Sequence, residues 1–167
     1  MANLITQQDI NTLARPCYTD EGLTRRCIAE AQDIDLAPAI GYALLSLAST
    51  ERSKRMAQLL DGGTWEDCNG IHSHKGIKTA LAYYAWARAT RASVVTATRF
   101  GAVVKQDDYS RTSSAQERQA AYGEAFAIAD HYLAEVVEFL NANRDIYPEY
   151  SGGRVTNTRN KVKVIGL

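Results

Sequence analysis

The residues best suited to bind a metal ion are Cys68, His72 and His74, which fall within seven consecutive positions. Thiolate and imidazole groups are common zinc ligands in proteins. Their spacing, however, matches no standard zinc signature, and the sequence offers no evident fourth ligand. We therefore interpret Thr64 to Ser73 as a loop with exposed histidines and an incidental cysteine, and we predict neither a metal ion nor another cofactor.

Other residues whose side chains could take part in catalysis are not spaced for it. His131 falls in a helical pattern beside Asp130, which is typical of a helix surface or an interface. The carboxylate pair Asp107-Asp108 consists of sequence neighbours, and such pairs are usually solvated on a turn. No nucleophile elbow, Walker A loop or dinucleotide-binding glycine motif occurs. We predict no catalytic residues.

Composition narrows the class of protein. Lysine plus arginine and aspartate plus glutamate both number 19, so the formal net charge is zero. This balance argues against a protein that coats nucleic acid, and it removes the like-charge repulsion that opposes self-association. Three cysteines without a CxxC pair indicate free thiols in a reducing compartment. With neither a leader pattern nor a long apolar run, we expect a soluble protein that is made in a cytoplasm and contacts no membrane.

Apolar periodicity predicts a mainly α-helical fold. Pro38 should end the second helix, because proline cannot continue the hydrogen-bond ladder. The third helix has an alternative interpretation as two shorter helices divided at Ser49–Lys54. The predicted helices are Thr6–Ala14, Asp20–Asp35, Ala39–Leu60, Lys75–Thr98 and Ser114–Asn143.

The two longest helices flank a segment of a different kind. Lys75–Thr98 is apolar on two sides, which predicts burial between neighbours, either within the fold or between subunits. Ser114 and Glu117 form a capping-box pattern at the start of the last helix. Between them, Ala102–Gln106 has β character. We predict a helical bundle with a short β-hairpin or arm between the two long helices.

The last residues differ in composition from the rest. Ser151–Leu167 opens with two glycines after its serine, contains no acidic residue and has four basic ones, at Arg154, Arg159, Lys161 and Lys163. We divide the chain into a helical domain at 1–150 and an extended basic tail at 151–167. The tail could meet DNA phosphates or an acidic protein surface, and we favour the protein surface.

Several segments, taken in order, resemble one protein family. They are IAEAQDIDLAPAIGYALL at Ile28–Leu45, LLDGGTWE at Leu59–Glu66, KGIKTALAYYAWAR at Lys75–Arg88, Arg99-Phe-Gly, and the final helix before Tyr147-Pro148. This order is similar to the small head–tail connector, or adaptor, proteins of tailed phages, above all those of crAss-like phages that infect Bacteroidetes. The resemblance spans residues 25 to 150 and leaves out the tail and the first twenty residues.

The resemblance implies a structural virion protein at the head–tail junction, assembled in the cytoplasm of the host bacterium. Such subunits form a ring, usually twelvefold, beneath the portal, extend the DNA channel and dock the tail or the next connector protein. The implied partners are other copies of the chain, the portal, downstream connector or tail proteins and, non-specifically, packaged DNA. The contact residues we predict on this basis are Phe100, Val103, Val104, Tyr109, Arg154, Arg159, Lys161, Lys163, Val164 and Ile165.

Three alternatives stay open at this point. A head-completion or stopper protein would also belong to the virion, although such proteins tend to be β-rich. A small metal-dependent or DNA-modifying enzyme would use Cys68, His72 and His74. A helical DNA-binding module would use the basic tail.

Overall fold

The computed structural model describes residues 2–68, 70–93 and 114–152, together with the backbone of 95–98 and 101–104. The helices are α1 (Gln7–Leu13), α2 (Glu21–Ala31), α3 (Ala37–Ile40), α4 (Tyr42–Thr50), α5 (Lys54–Asp61), α6 (Gly76–Ala92) and α7 (Ala115–Ala142), and a π-helical turn spans Gln32–Leu36. Two antiparallel hairpins complete the described elements: β1 (Gly63–Asp67) with β2 (Gly70–His74), and β3 (Val95–Thr98) with β4 (Gly101–Val104). The mainly helical fold with a hairpin between two long helices is confirmed.

The central element of the core is α6, which packs against α7, α2, α1 and α5. Its larger buried side chains are Ile77, Leu81 and Tyr84, and alanines between them permit close approach of the neighbouring helices. The apolar pattern on two sides of α6 is therefore accounted for largely by packing within the subunit.

Polar side chains cap the starts of several helices, and the capping box at Ser114 is the one that the sequence predicts. Thr6 and Asp9 form a capping box at α1, and Ser114 and Glu117 form another at α7. Asp20 accepts a hydrogen bond from the backbone N–H of Leu23 at α2. Each cap satisfies backbone donors that lack a partner in the first turn, so these boundaries follow from local chemistry.

The predicted break at Pro38 is wrong. The chain stays helical from α2 through the π-helical turn into α3. This helical run ends only at Gly41, which has φ +87°. Within the π-helical turn the Ala37 N–H bonds to the carbonyl of Gln32, five residues back. Pro38 then occupies the first turn of α3, where its missing N–H is tolerated.

The predicted third helix is divided, as its alternative interpretation allowed. After α4 ends at Thr50, Ser53 caps α5 by accepting a hydrogen bond from the Met56 N–H. Gly62 follows α5 with φ +101°, a conformation that glycine adopts without strain.

The loop predicted for Thr64–Ser73 is wrong, since this segment forms the β1–β2 hairpin with Trp65 opposite His72. Trp65, His72 and His74 share the face that meets α7. Histidine counts as polar in a sequence pattern, so the alternation of this strand pair was hidden.

The predicted arm between the long helices is confirmed, although its bounds shift. Helix α6 ends at Ala92, and Val95–Thr98, predicted as helix, is the first strand of the second hairpin. Val95 pairs with Val104 and Thr98 with Gly101, so the chain reverses between Thr98 and Gly101. The β-branched valine and threonines of β3 favour a strand over a helix. The predicted extended tail lies outside the described residues from Gly153 onward.

Candidate contact surfaces

The three candidate metal ligands occupy different environments. Cys68 is exposed at the end of β1, whereas His74 is only 4% exposed. His72 lies between them, with its Nε2 atom 2.9 Å from Asp67 Oδ1 and its ring stacked on Trp65. Within the described residues, no group of three or more histidine, cysteine, aspartate or glutamate side chains is placed to hold a metal ion.

His74 serves as a buried aromatic residue. Its ring stacks on Phe139 of α7 with a centroid separation of 4.3 Å. Its Nδ1 atom accepts a hydrogen bond from the Gly76 N–H, at 3.2 Å, so the neutral ring carries its proton on Nε2. That Nε2 atom is buried and makes no hydrogen bond among the residues the structure describes. Burial lowers the pKa of His74, because the charged form loses its hydration.

His131 lies on the surface of α7, with its side chain 70% exposed and 3.3 Å from Glu135 one turn along the helix. A more buried ion pair was missed by the sequence analysis: Arg88 of α6 meets Asp35 of the π-helical turn at 2.6 Å. The Asp35 side chain is only 6% exposed. This pair fixes the turn against the central helix.

Arg55 of α5 binds the segment of the chain that follows α7. Its guanidinium group bonds to Glu51 and Glu149 at 3.0 and 3.2 Å and to the carbonyl of Ile146 at 2.8 Å. The hydroxyl of Tyr147 donates to the carbonyl of Arg55 at 2.7 Å. Hydrogen bonds from Arg55 lower the pKa of both carboxyl groups, and burial raises the pKa of Tyr147 to about 12. These contacts determine where the tail leaves the helical body.

The predicted contact residues fall into two sets. Val103 and Val104 lie in β4, the second strand of the arm. The other eight lie outside the described residues: Phe100, Tyr109, Arg154, Arg159, Lys161, Lys163, Val164 and Ile165.

Exposed apolar side chains add surface features that the sequence did not predict. Tyr18 is 91% exposed and Ile71 is 79% exposed. Ile71 lies on the face of the β1–β2 hairpin opposite to the one that packs on α7, directly across from Glu66. The sequence does not separate exposed from buried positions in this short strand, because the apolar Ile71 lies on the outer face and the two histidines lie on the face toward α7.

The sequence model of DUF6712, a family of unknown function, matches residues 36–160, about three quarters of the chain. No curated protein and no solved structure matches the chain. None of the described helices is both long enough and apolar enough to cross a membrane.

Proposed function

The chain belongs to the DUF6712 family, and we propose that it is a structural subunit of the head–tail connector of a tailed phage. In this proposal, twelve copies of the chain form a ring below the portal. The ring extends the DNA channel and docks the tail or the next connector protein. The observation that carries the proposal is the β3–β4 arm, which is inserted in the chain between the two longest helices.

The segments that resemble adaptor proteins form the framework of this fold. Ile28–Leu45 supplies the end of α2, the π-helical turn, α3 and the start of α4. Leu59–Glu66 supplies the end of α5 and most of β1, and Lys75–Arg88 supplies most of the central helix α6. The resemblance therefore concerns the residues that build the core and position the arm, which supports carrying over the architecture of an adaptor subunit.

The arm has the form expected of a contact element in a ring. It is a paired strand structure of only four residues on each side, inserted between α6 and α7, which pack extensively on each other. Two paired strands without a broader sheet are marginally stable alone and gain from a partner surface. An element that meets a different surface on the next copy generates a head-to-tail interface, and such an interface forms a ring when the rotation between copies closes.

Association with the portal tests the proposal. The native chain is mixed with the portal protein encoded in the same genome, and bound chain is measured by sedimentation. Replacing both Val103 and Val104 by aspartate introduces two negative charges into β4. We expect the native chain to sediment with the portal and the double variant to lose at least tenfold in affinity.

Tyr18→Asp provides the matched control, since it adds a charge at an apolar residue that is already 91% exposed. This variant should bind the portal as the native chain does, and circular dichroism should show that all three chains are folded. Native chain that ignores the portal would refute the connector role, and full binding by the Val103 and Val104 variant would refute the role of the arm.

A further inference from the structure

The charges of the chain are separated along its length. All 19 acidic residues lie within residues 1–152, whereas four of the 19 basic residues lie within 153–167. The helical body therefore has a formal charge of −4 and the tail one of +4. The neutrality of the whole chain conceals two regions of opposite sign, which attract each other within or between copies.

The outer edge of β1 carries backbone groups that point away from β2. The carbonyl of Thr64 in β1 accepts a hydrogen bond from the Gln58 side chain at 3.2 Å, so it is directed away from β2. In an antiparallel pair, the residues whose backbone groups point away from the partner alternate along the strand. The N–H and C=O of Glu66 therefore also point outward, on the acidic half of β1.

The side chains of this edge match the pattern of the tail. Glu66 is exposed on the outer face of the hairpin, and Trp65 is half-buried on the face toward α7. The tail contains the alternating run Lys161-Val162-Lys163-Val164. As a strand beside β1, this run would place its lysines on the face of Glu66 and its valines beside Trp65.

We propose that Lys161–Val164 of one copy adds as a third strand to the outer edge of β1 in a neighbouring copy. The inference rests on the proposed function, because it assigns one interface of the connector ring. Donor and acceptor are different surfaces of the same chain, so each copy gives its tail to one neighbour and accepts a tail from another. The nine residues from Gly153 to Lys161 span up to roughly 30 Å when extended, enough to reach an adjacent copy.

Crosslinking between two distinguishable chains tests this contact. The first chain carries Val164→Cys and Cys68→Ser, and the second is the native chain with a tag that increases its mass. In the native chain Cys68 is exposed at the end of β1, whereas Cys17 and Cys27 are buried. A short bis-maleimide added to the mixture should produce a covalent heterodimer, identified by its mass on a denaturing gel.

Charge reversal on the acceptor checks that β1 is the surface involved. Glu66→Lys in the tagged chain should lower the heterodimer yield several-fold. Glu124→Lys makes the same charge change on α7, 15 residues before Phe139 and thus roughly 22 Å along the helix from the hairpin. It also breaks the ion pair of Glu124 with Arg15, so its circular dichroism is compared with that of the native chain. That control should crosslink as the native chain does. Absence of the heterodimer, or equal loss with both variants, would overturn the inference.

Binding to the portal, measured on the same samples, separates this inference from the connector role. Portal association without the heterodimer would overturn the tail contact and leave the connector in place. A heterodimer without portal association would support the tail contact and overturn the connector.

Discussion

At the scale of single residues, His74 joins the β1–β2 hairpin to the helical core. Its ring lies on Phe139, and its Nδ1 atom accepts the N–H of Gly76 at the start of α6. The buried Nε2 atom has no hydrogen-bond partner in the described part of the chain. Protonation would place a charge in this site, so folding should favour the neutral ring.

We predict that His74 makes folding sensitive to mild acid. Its pKa in the folded chain lies below the ordinary value of about 6.5, so the unfolded chain binds the proton more readily. Stability from this source is complete above pH 6.5 and declines as the pH falls from there, by up to about 1.4 kcal/mol per pH unit. Urea unfolding between pH 7.5 and pH 5 measures this slope.

His74→Phe should reduce the slope while keeping an aromatic ring on Phe139. His131→Phe is measured in parallel as a variant that removes an exposed histidine, since this side chain is 70% exposed. If His74→Phe and the native chain show the same pH dependence, His74 is not the sensitive group.

Residue roles that depend on near neighbours in the sequence could be predicted, whereas roles that depend on distant residues could not. Ser114 and Glu117 lie within one helical turn of each other, and the sequence predicted their capping box. The environment of His74 depends on Phe139, which lies 65 positions further along the chain. A spacing rule for metal ligands contains no information about such a distant partner.

At the scale of elements, the junction between α5 and α6 depends on two glycines. Gly62 and Gly76 have φ values of +101° and +80°, and a Cβ atom on Gly76 would lie 2.4 Å from the carbonyl oxygen of Leu60. The close backbone approach here brings the ends of the β1–β2 hairpin together. No side chain fits without displacing backbone atoms.

We predict that Gly76→Ala destabilises the fold by about 2 kcal/mol or more, because it combines a strained φ with a backbone clash. Gly123→Ala provides the contrast within α7, where an added Cβ atom would meet nothing within 4 Å. That variant should stabilise the chain by about 0.5 to 1 kcal/mol. Urea unfolding measures both, and equal effects of the two would contradict the role of the junction.

Arg55 determines the path of the segment between α7 and the tail. Arg55→Gln removes the ties to Glu149 and weakens the tie to the carbonyl of Ile146. We expect backbone amides in 146–150 to exchange hydrogen faster, with α6 unaffected. Arg52→Gln is the control, since Arg52 bonds only to backbone carbonyls at the end of α4 among the described residues.

Element boundaries were predictable where a single local signal dominated. The path around Pro38 was not, because the π-helical turn before it is held by distant contacts: Gln32 bonds to the Leu4 N–H at 2.6 Å, and Asp35 pairs with Arg88. The β1–β2 hairpin is likewise stabilised by packing on α7. A strand of four or five residues yields too few positions for its periodicity to outweigh a helical or loop interpretation.

At the scale of the whole molecule, a helical core is joined to two candidate contact elements. The apolar faces of α6 pack against helices of the same chain, and the arm and the tail are the parts proposed to contact partners. The fold class followed from apolar periodicity over long helices. The connector role is a proposal that rests on the resemblance to adaptor proteins and on the β3–β4 arm, because no side-chain arrangement in the sequence implies a virion.

Electron microscopy of the purified chain with its portal tests the central proposal most directly. We expect portal particles that carry an added ring of twelve copies on the side facing the tail, with the channel continuous through both rings. Portal particles that remain bare at saturating concentrations of the chain would contradict it.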